Sequence, residues 1–342
     1  MSYQVVNTFY TPNTDFGENL LVPLGAALAN GHWTKEEEIV ASAVDADAVI
    51  GSGSLQPYTR RVLGSLPRCR IIASQGIGYD RVDVEAATQL GIVVTNVPDY
   101  CLDEVSSRAI ALMLALNHKI ILLNQAVKEK QVCFVLNRQA LWEIATPIFR
   151  MRDQTLGIIG MGKIGTATAL KARGLGMQVV AYDPYVFKGV IESHATRPVD
   201  LDTLLRESDY VSIHTPLTSE TSGIIGYEQA RKMKRTAYLI NTARGGCVDE
   251  PGLILALQEG LIAGAGLDVT AKEPIEPDNP LLGMPNVILT GHSAGYSETA
   301  APELFHRPMT QVVMALRGEW PLYVVNPDVK KLWLDKWGKG AR

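Results

Sequence analysis

Leu156-Gly-Ile-Ile-Gly-Met-Gly-Lys-Ile-Gly165 decides the fold. Its first half, 156–160, is a short apolar strand, and the residues from 163 to 173 read as a helix. Between them stand Gly160, Gly162 and Gly165, spaced as G-x-G-x-x-G. At such a junction Gly160 permits the tight turn and Gly162 lets the backbone approach a pyrophosphate. Gly165 lets helix and strand pack closely. The first helical turn, which includes Lys163 and Ile164, offers amide N–H groups and a positive dipole end to phosphate oxygens. The following strand ends in Asp183, and 183 − 165 = 18 residues is the spacing of a carboxylate that bonds ribose hydroxyls. That carboxylate repels a 2′-phosphate, so the expected cofactor is NAD rather than NADP. A glycine-rich turn without a ligand is the alternative, since the motif alone is short; strand, helix and Asp183 supply its context.

Outward from this unit, strands and helices alternate. Downstream the strands fall at 178–183, 210–214, 237–241, 264–269 and 287–290, making six with the first. Upstream, 4–9 reads as a strand, 18–30 and 35–44 as helices, and 48–50 as an apolar run. Helix 57–63, strand 70–74, helix 84–90 and strand 92–97 follow. Strands separated by helices imply parallel βαβ units, so the fold class is α/β with two doubly wound parallel sheets. One is flavodoxin-like and the other a Rossmann dinucleotide domain, with a cleft between them. A long amphipathic helix occupies 103–119 and a polar, irregular stretch runs from 128 to 153. The helix at 297–317 comes after the second sheet is complete and is expected to return to the first domain. The expected domains are therefore 1–102 with 297–342 for substrate, and 103–296 for NAD.

Composition narrows the partners. The 342 residues are 46% hydrophobic and 20% charged, the balance of a soluble globular protein, with room for two domains. A formal net charge of −4 and no dense Lys/Arg run argue against direct nucleic-acid binding. The longest apolar stretch, 109–123, contains Asn117, His118 and Lys119, so no membrane span is expected. Cys69, Cys101, Cys133 and Cys247 lie far apart with no C-x-x-C spacing, which speaks against a metal site and fits a reducing cytoplasm.

Three polar residues stand at successive strand ends of the second domain. Arg244 lies in Asn-Thr-Ala-Arg-Gly-Gly, Glu273 in Lys-Glu-Pro, and His292 in Thr-Gly-His-Ser-Ala-Gly. Reduction of a 2-oxo acid needs a cation for the carboxylate and carbonyl, for which arginine has a planar fork. It also needs an acid near neutral pH, which histidine supplies. Singly, each could be structural or solvated; their succession at the ligand-binding edge of a doubly wound sheet carries the reading.

From end to end the chain resembles the D-isomer-specific 2-hydroxyacid dehydrogenase family, and within it the C-terminal-binding-protein-like branch. The resemblance lies in Gln75-Gly-Ile-Gly-Tyr-Asp80, Asn96-Val-Pro-Asp-Tyr-Cys101, Gly160 to Gly165, Asp183-Pro-Tyr185, Asn241-Thr-Ala-Arg-Gly-Gly246 and Gly266-Leu-Asp-Val269. It implies that His292 is the acid/base, Glu273 its carboxylate partner and Arg244 the substrate clamp. The amides of Gly76, Ile77 and Gly78 would bind the substrate carboxylate. Asp268 would contact the nicotinamide carboxamide, and Thr215, Pro216, Thr242, His292 and Gly295 would lie along the cofactor. A homodimer joined through the helix after Cys101 is implied as well. The loop 51–56, with Ser52 and Ser54, is expected to line the cleft.

The chain departs from the family at four places. Gly291 stands where proline usually precedes the histidine, and Gly295 where the branch usually has tryptophan. Arg81 replaces an asparagine, and Ser107-Arg108 an acidic–histidine pair. Gly295 either enlarges the substrate pocket or has its gap refilled by an aromatic such as Tyr296. Two other functions stay open: an NADH-sensing, corepressor-like binding protein, and a formate- or phosphite-type enzyme. Glu273 speaks against the formate type, where an amide is expected.

Overall fold

Strands β1 (Gln4–Asn7), β2 (Ala27–Asn30), β3 (Ala48–Gly51), β4 (Ile71–Ser74) and β5 (Val93–Thr95) pair in parallel in the order β2-β1-β3-β4-β5. The structure is a computed structural model that describes residues 2–130 and 132–339. The strand order of this first sheet is the flavodoxin-like one, reversing between β1 and β3. Alternate side chains cover both faces. Val49, Ile72 and Val94 pack with Ile39 and Val62 on one side. Ile50, Ile71 and Val93 pack on the other with Val312, Leu316 and Trp333, from the helices Ala300–Leu316 and Lys330–Trp337. Met1–Tyr100 and Ser297–Arg342 form this unit.

The second unit, Cys101–Tyr296, holds β6 (Thr155–Ile159), β7 (Gln178–Tyr182), β8 (Arg197–Pro198), β9 (Tyr210–Ile213), β10 (Tyr238–Asn241), β11 (Gly264–Leu267) and β12 (Val287–Leu289). All pair in parallel, in the order β12-β11-β10-β9-β6-β7-β8. Leu156 and Ile158 face Ala109, Leu112, Met113 and Ala169, while Ile159 faces the opposite cluster with Val211 and Leu239. A buried Val, Leu or Ile contributes about 1.5–3 kcal/mol, so a sheet apolar on both faces is a rigid platform for its loops. The order reverses between β6 and β9, which puts the glycine loop after β6 at the switch point.

Three expectations need correction. Residues 18–30 are not one helix: a 3-10 turn, Glu18–Leu24, encloses Pro23 and ends at left-handed Gly25, and Ala27–Asn30 is the edge strand β2. The second sheet has seven strands in the described residues, because the two-residue β8 pairs at its edge beside β7. The stretch 128–153 is not irregular throughout, since Arg138–Ala145 is a helix; Gln131 within it lies outside the described residues. The long helix spans Leu102–Asn117, and Ile120–Lys130 continues after a 54° bend at Lys119, which is left-handed. No single described helix is long and apolar enough to cross a membrane.

Candidate active site

At the switch point the three glycines have three different structural reasons. Gly160 has φ 93°, and a Cβ there would come within 2.7 Å of Thr215 Cγ2 and 2.8 Å of the His214 carbonyl. Only glycine lets the loops after β6 and β9 touch. A Cβ on Gly165 would lie 2.1 Å from the Gly160 carbonyl oxygen, so the helix Lys163–Gly174 closes directly on the turn. At Gly162 a Cβ would meet no protein atom within 4 Å, and no side chain caps the helix it begins. Helix N–H groups without a cap suit an anion. Gly162 and Lys163 are exposed, and Ile164 is half-buried.

Asp183 is fastened by three amides. Its Oδ2 accepts from Met161 N at 2.8 Å, and its Oδ1 from Tyr185 N at 2.8 Å and Val186 N at 3.1 Å. The carboxylate thus ties the glycine loop to the turn after β7 and stays half-exposed. Across the switch point, Thr242 follows β10 with its Oγ1 buried and unpartnered. The open face at Gly162, the uncapped helix and this orphaned hydroxyl are features that a dinucleotide would fit. Thr215 Oγ1 lies 3.8 Å from Cys247 Sγ, and Pro216 is exposed beside it. His214 went unnoticed in the sequence. Burial pushes its imidazole down to about 4; its Nε2 lies 2.9 Å from Ser212 Oγ and its Nδ1 is buried without a partner. Its place just before Thr215-Pro216, at the end of β9, was the available signal.

The ends of β10, β11 and β12 carry the polar trio. His292 Nδ1 is 2.8 Å from Glu273 Oε2, with both side chains partly exposed. Glu273 Oε1 accepts from Thr270 N at 3.3 Å. Partial burial pushes the Glu273 carboxyl up, but the hydrogen bond and charge of His292, the Thr270 amide and the charge of Arg244 outweigh it. The net effect holds Glu273 below its ordinary value of 4.5. Arg244 Nη1 donates to the Ala243 carbonyl at 2.8 Å. A Cβ on Gly245 would sit 1.8 Å from the Thr270 carbonyl, so this glycine brings the arginine's loop onto the glutamate's. Asp268, 2% exposed, has its carboxylate under the His292 loop. Gly295 is half-buried there, and Tyr296 is 66% exposed.

The remaining residues of the expected site belong to the other unit. There the loops after β3 and β4 are joined: Gln75 N donates to the Gly51 carbonyl at 2.7 Å, and Gly53 N to Ser74 Oγ at 2.9 Å. Gly76 has φ 100°. The carbonyls of Gly76, Ile77 and Gly78 accept from Val97 N, Asn96 Nδ2 and Ser74 Oγ. Ser52 is buried, with its Oγ 3.4 Å from that of half-buried Ser54. Arg81, exposed, donates from Nη1 to the Leu55 carbonyl at 2.8 Å, a staple between the two loops.

A doubly wound sheet with a glycine loop and a carboxylate at its switch point, and a His–Glu pair beside an arginine, is the arrangement of a dinucleotide-linked oxidoreductase. Residues 110–294 match the family model described as D-isomer specific 2-hydroxyacid dehydrogenase, NAD binding domain. The chain is 39% identical over 299 residues to a glyoxylate reductase of Korarchaeum cryptofilum, covering 86% of this chain and 87% of that one. It is 37% identical to a hydroxypyruvate reductase of Blautia hydrogenotrophica, covering 86% and 89%. The D-lactate dehydrogenase of Aquifex aeolicus, solved with NAD and lactic acid, superposes with a TM-score of 0.80 at 28% identity, covering 91% and 94%. The chain belongs to the D-isomer specific 2-hydroxyacid dehydrogenase family and is an NAD-dependent enzyme of that kind.

Proposed function

We propose that the enzyme reduces a small 2-oxo acid of the glyoxylate or hydroxypyruvate kind, with His292 as acid/base. The carrying observation is the 2.8 Å contact of His292 Nδ1 with Glu273. Glu273 fixes the ring and compensates its charge, which turns Nε2 to the substrate. NADH, when bound, supplies the hydride for the carbonyl carbon. Nε2 gives its proton to the carbonyl oxygen, and Arg244 binds the carboxylate and the developing oxyanion through its guanidinium. The amides of Gly76, Ile77 and Gly78 take the carboxylate, and Ser52 and Ser54 shape the loop behind it. Asp183 selects NAD over NADP.

The decisive experiment follows NADH loss at 340 nm across 2-oxo acids, including phosphorylated, aromatic and sulfonated ones. Turnover of glyoxylate or hydroxypyruvate supports the reading; tight NADH binding with no turnover of any acid points to a cofactor sensor. A pH profile tests the pair. Glu273 is held below 4.5, so its contribution is complete above the ordinary carboxylate range and is lost as pH falls through the lowered value. The acid limb of kcat/KM for reduction should therefore lie below 4.5. A limb centred above that value removes Glu273 from the role.

Assembly as a homodimer is part of the same proposal. Phe134, Val135, Leu136 and Trp142 are between 65% and 87% exposed, next to the helices that follow Cys101. Large apolar side chains left this exposed are unfavourable in water and fit contact with a second copy of the chain. Light scattering should give twice the 37.2 kDa chain mass; a monomer at micromolar concentration contradicts it. The scattered reduced cysteines suit a cytoplasmic enzyme.

A further inference from the structure

The loop that carries His292 is left-handed at two successive residues, Gly291 with φ 61° and His292 with φ 57°. A Cβ on Gly291 would meet no atom within 4 Å, so glycine serves conformation there and not space. Proline, locked at negative φ, cannot take this backbone. Glycine itself supplies no stiffness. The stiffness comes from Asp268, which directly follows β11. Its carbonyl accepts from His292 N at 2.5 Å. Its Oδ1 accepts from Thr290 Oγ1 at 2.5 Å and Ser293 N at 3.1 Å, and its Oδ2 from Ala294 N at 3.0 Å. Bonds from four of the five residues 290–294 converge on this one buried aspartate.

We propose that Asp268 is a positioning residue, which holds the left-handed backbone of Gly291 and His292 and so aims the imidazole. The inference rests on His292 being the acid/base. Glu273 fixes the ring at one nitrogen, but a ring held at one point still swings with its backbone. Asp268 fixes the backbone end. Its effect should then fall on kcat, where proton transfer counts, and not on cofactor affinity, where a carboxamide contact would show.

Asp268→Asn sets an NH2 group against donors that now share a carboxylate. We expect kcat with the 2-oxo acid to fall about 10²-fold while the NADH Kd, read from its fluorescence, moves by less than about threefold. Thr290→Val, which removes one donor, should give a smaller loss of the same kind. Gly291→Asn should keep more kcat than Gly291→Ala, because asparagine tolerates the left-handed region and alanine does not. A raised Kd with kcat intact, or unchanged values, overturns the proposal. Should Asp268→Asn fail to fold, wild-type kcat in Thr290→Val and in both Gly291 variants overturns it equally. His292→Ala separates the two readings. Wild-type turnover in that variant removes the acid/base assignment itself, whereas an inactive His292→Ala beside unaffected Asp268 and Gly291 variants removes positioning alone.

Discussion

His292→Ala should lower kcat for 2-oxo acid reduction by about 10²–10⁴-fold, the usual contribution of a positioned general acid. That range corresponds to about 3–5 kcal/mol of transition-state stabilisation. Its side chain is partly exposed, so the fold should stay near wild type, and the NADH affinity should change far less than kcat. A solvent proton donor still serves the alkoxide in the variant, which is why a residue of activity is expected and not none. Free imidazole small enough to enter the gap should restore part of the rate. Should the variant keep wild-type turnover, or lose NADH binding in proportion to kcat, the acid/base assignment fails.

Asp183→Ala should act on the cofactor and not on the chemistry. Three amides lose a charged acceptor in this variant, those of Met161, Tyr185 and Val186. Hydrogen bonds to charged groups are worth about 1.5–3 kcal/mol each, though the freed amides regain water here. On the proposed role of Asp183, its bonds to the ribose are lost as well. We expect the NADH KM to rise about 10²-fold, about 2.7 kcal/mol, with kcat changed far less. The preference for NAD over NADP should shrink, since the charge opposing a 2′-phosphate is gone. Equal use of both cofactors by the wild type contradicts this role. The same carboxylate organises the glycine loop, so Asp183→Asn should be the milder change, keeping an acceptor at one oxygen.

Much of this was legible in the residues. The apolar strands β6, β7, β9 and β10 stand out because the sheet is covered on both faces and most of their residues are buried and apolar. Edges were harder. Ala27–Asn30 pairs only with β1, and three of its four residues are exposed, so it carries no alternating pattern; Leu20, Leu21 and Leu24 before it mimic a helix. The helix Arg138–Ala145 buries none of its residues, and its apolar positions fall within only eight residues, too short a run to set it apart from the polar stretch around it. At the candidate site, Arg244, Glu273 and His292 stand out in the sequence because each follows a strand end with a residue type suited to the chemistry. The bracket around Asp268 could not, because two of its side chain's three donors are backbone amides, which every sequence possesses.

The reversal of strand order between β6 and β9 also separates two design problems. Asp183 follows β7 on one side of that point, while Arg244, Glu273 and His292 follow β10, β11 and β12 on the other. On the proposed roles, cofactor choice and acid choice are therefore written on different strands, with no shared loop. An engineer could recombine a β7 turn from an NADP enzyme with this chain's β10–β12 loops and retune redox supply without rebuilding the chemistry.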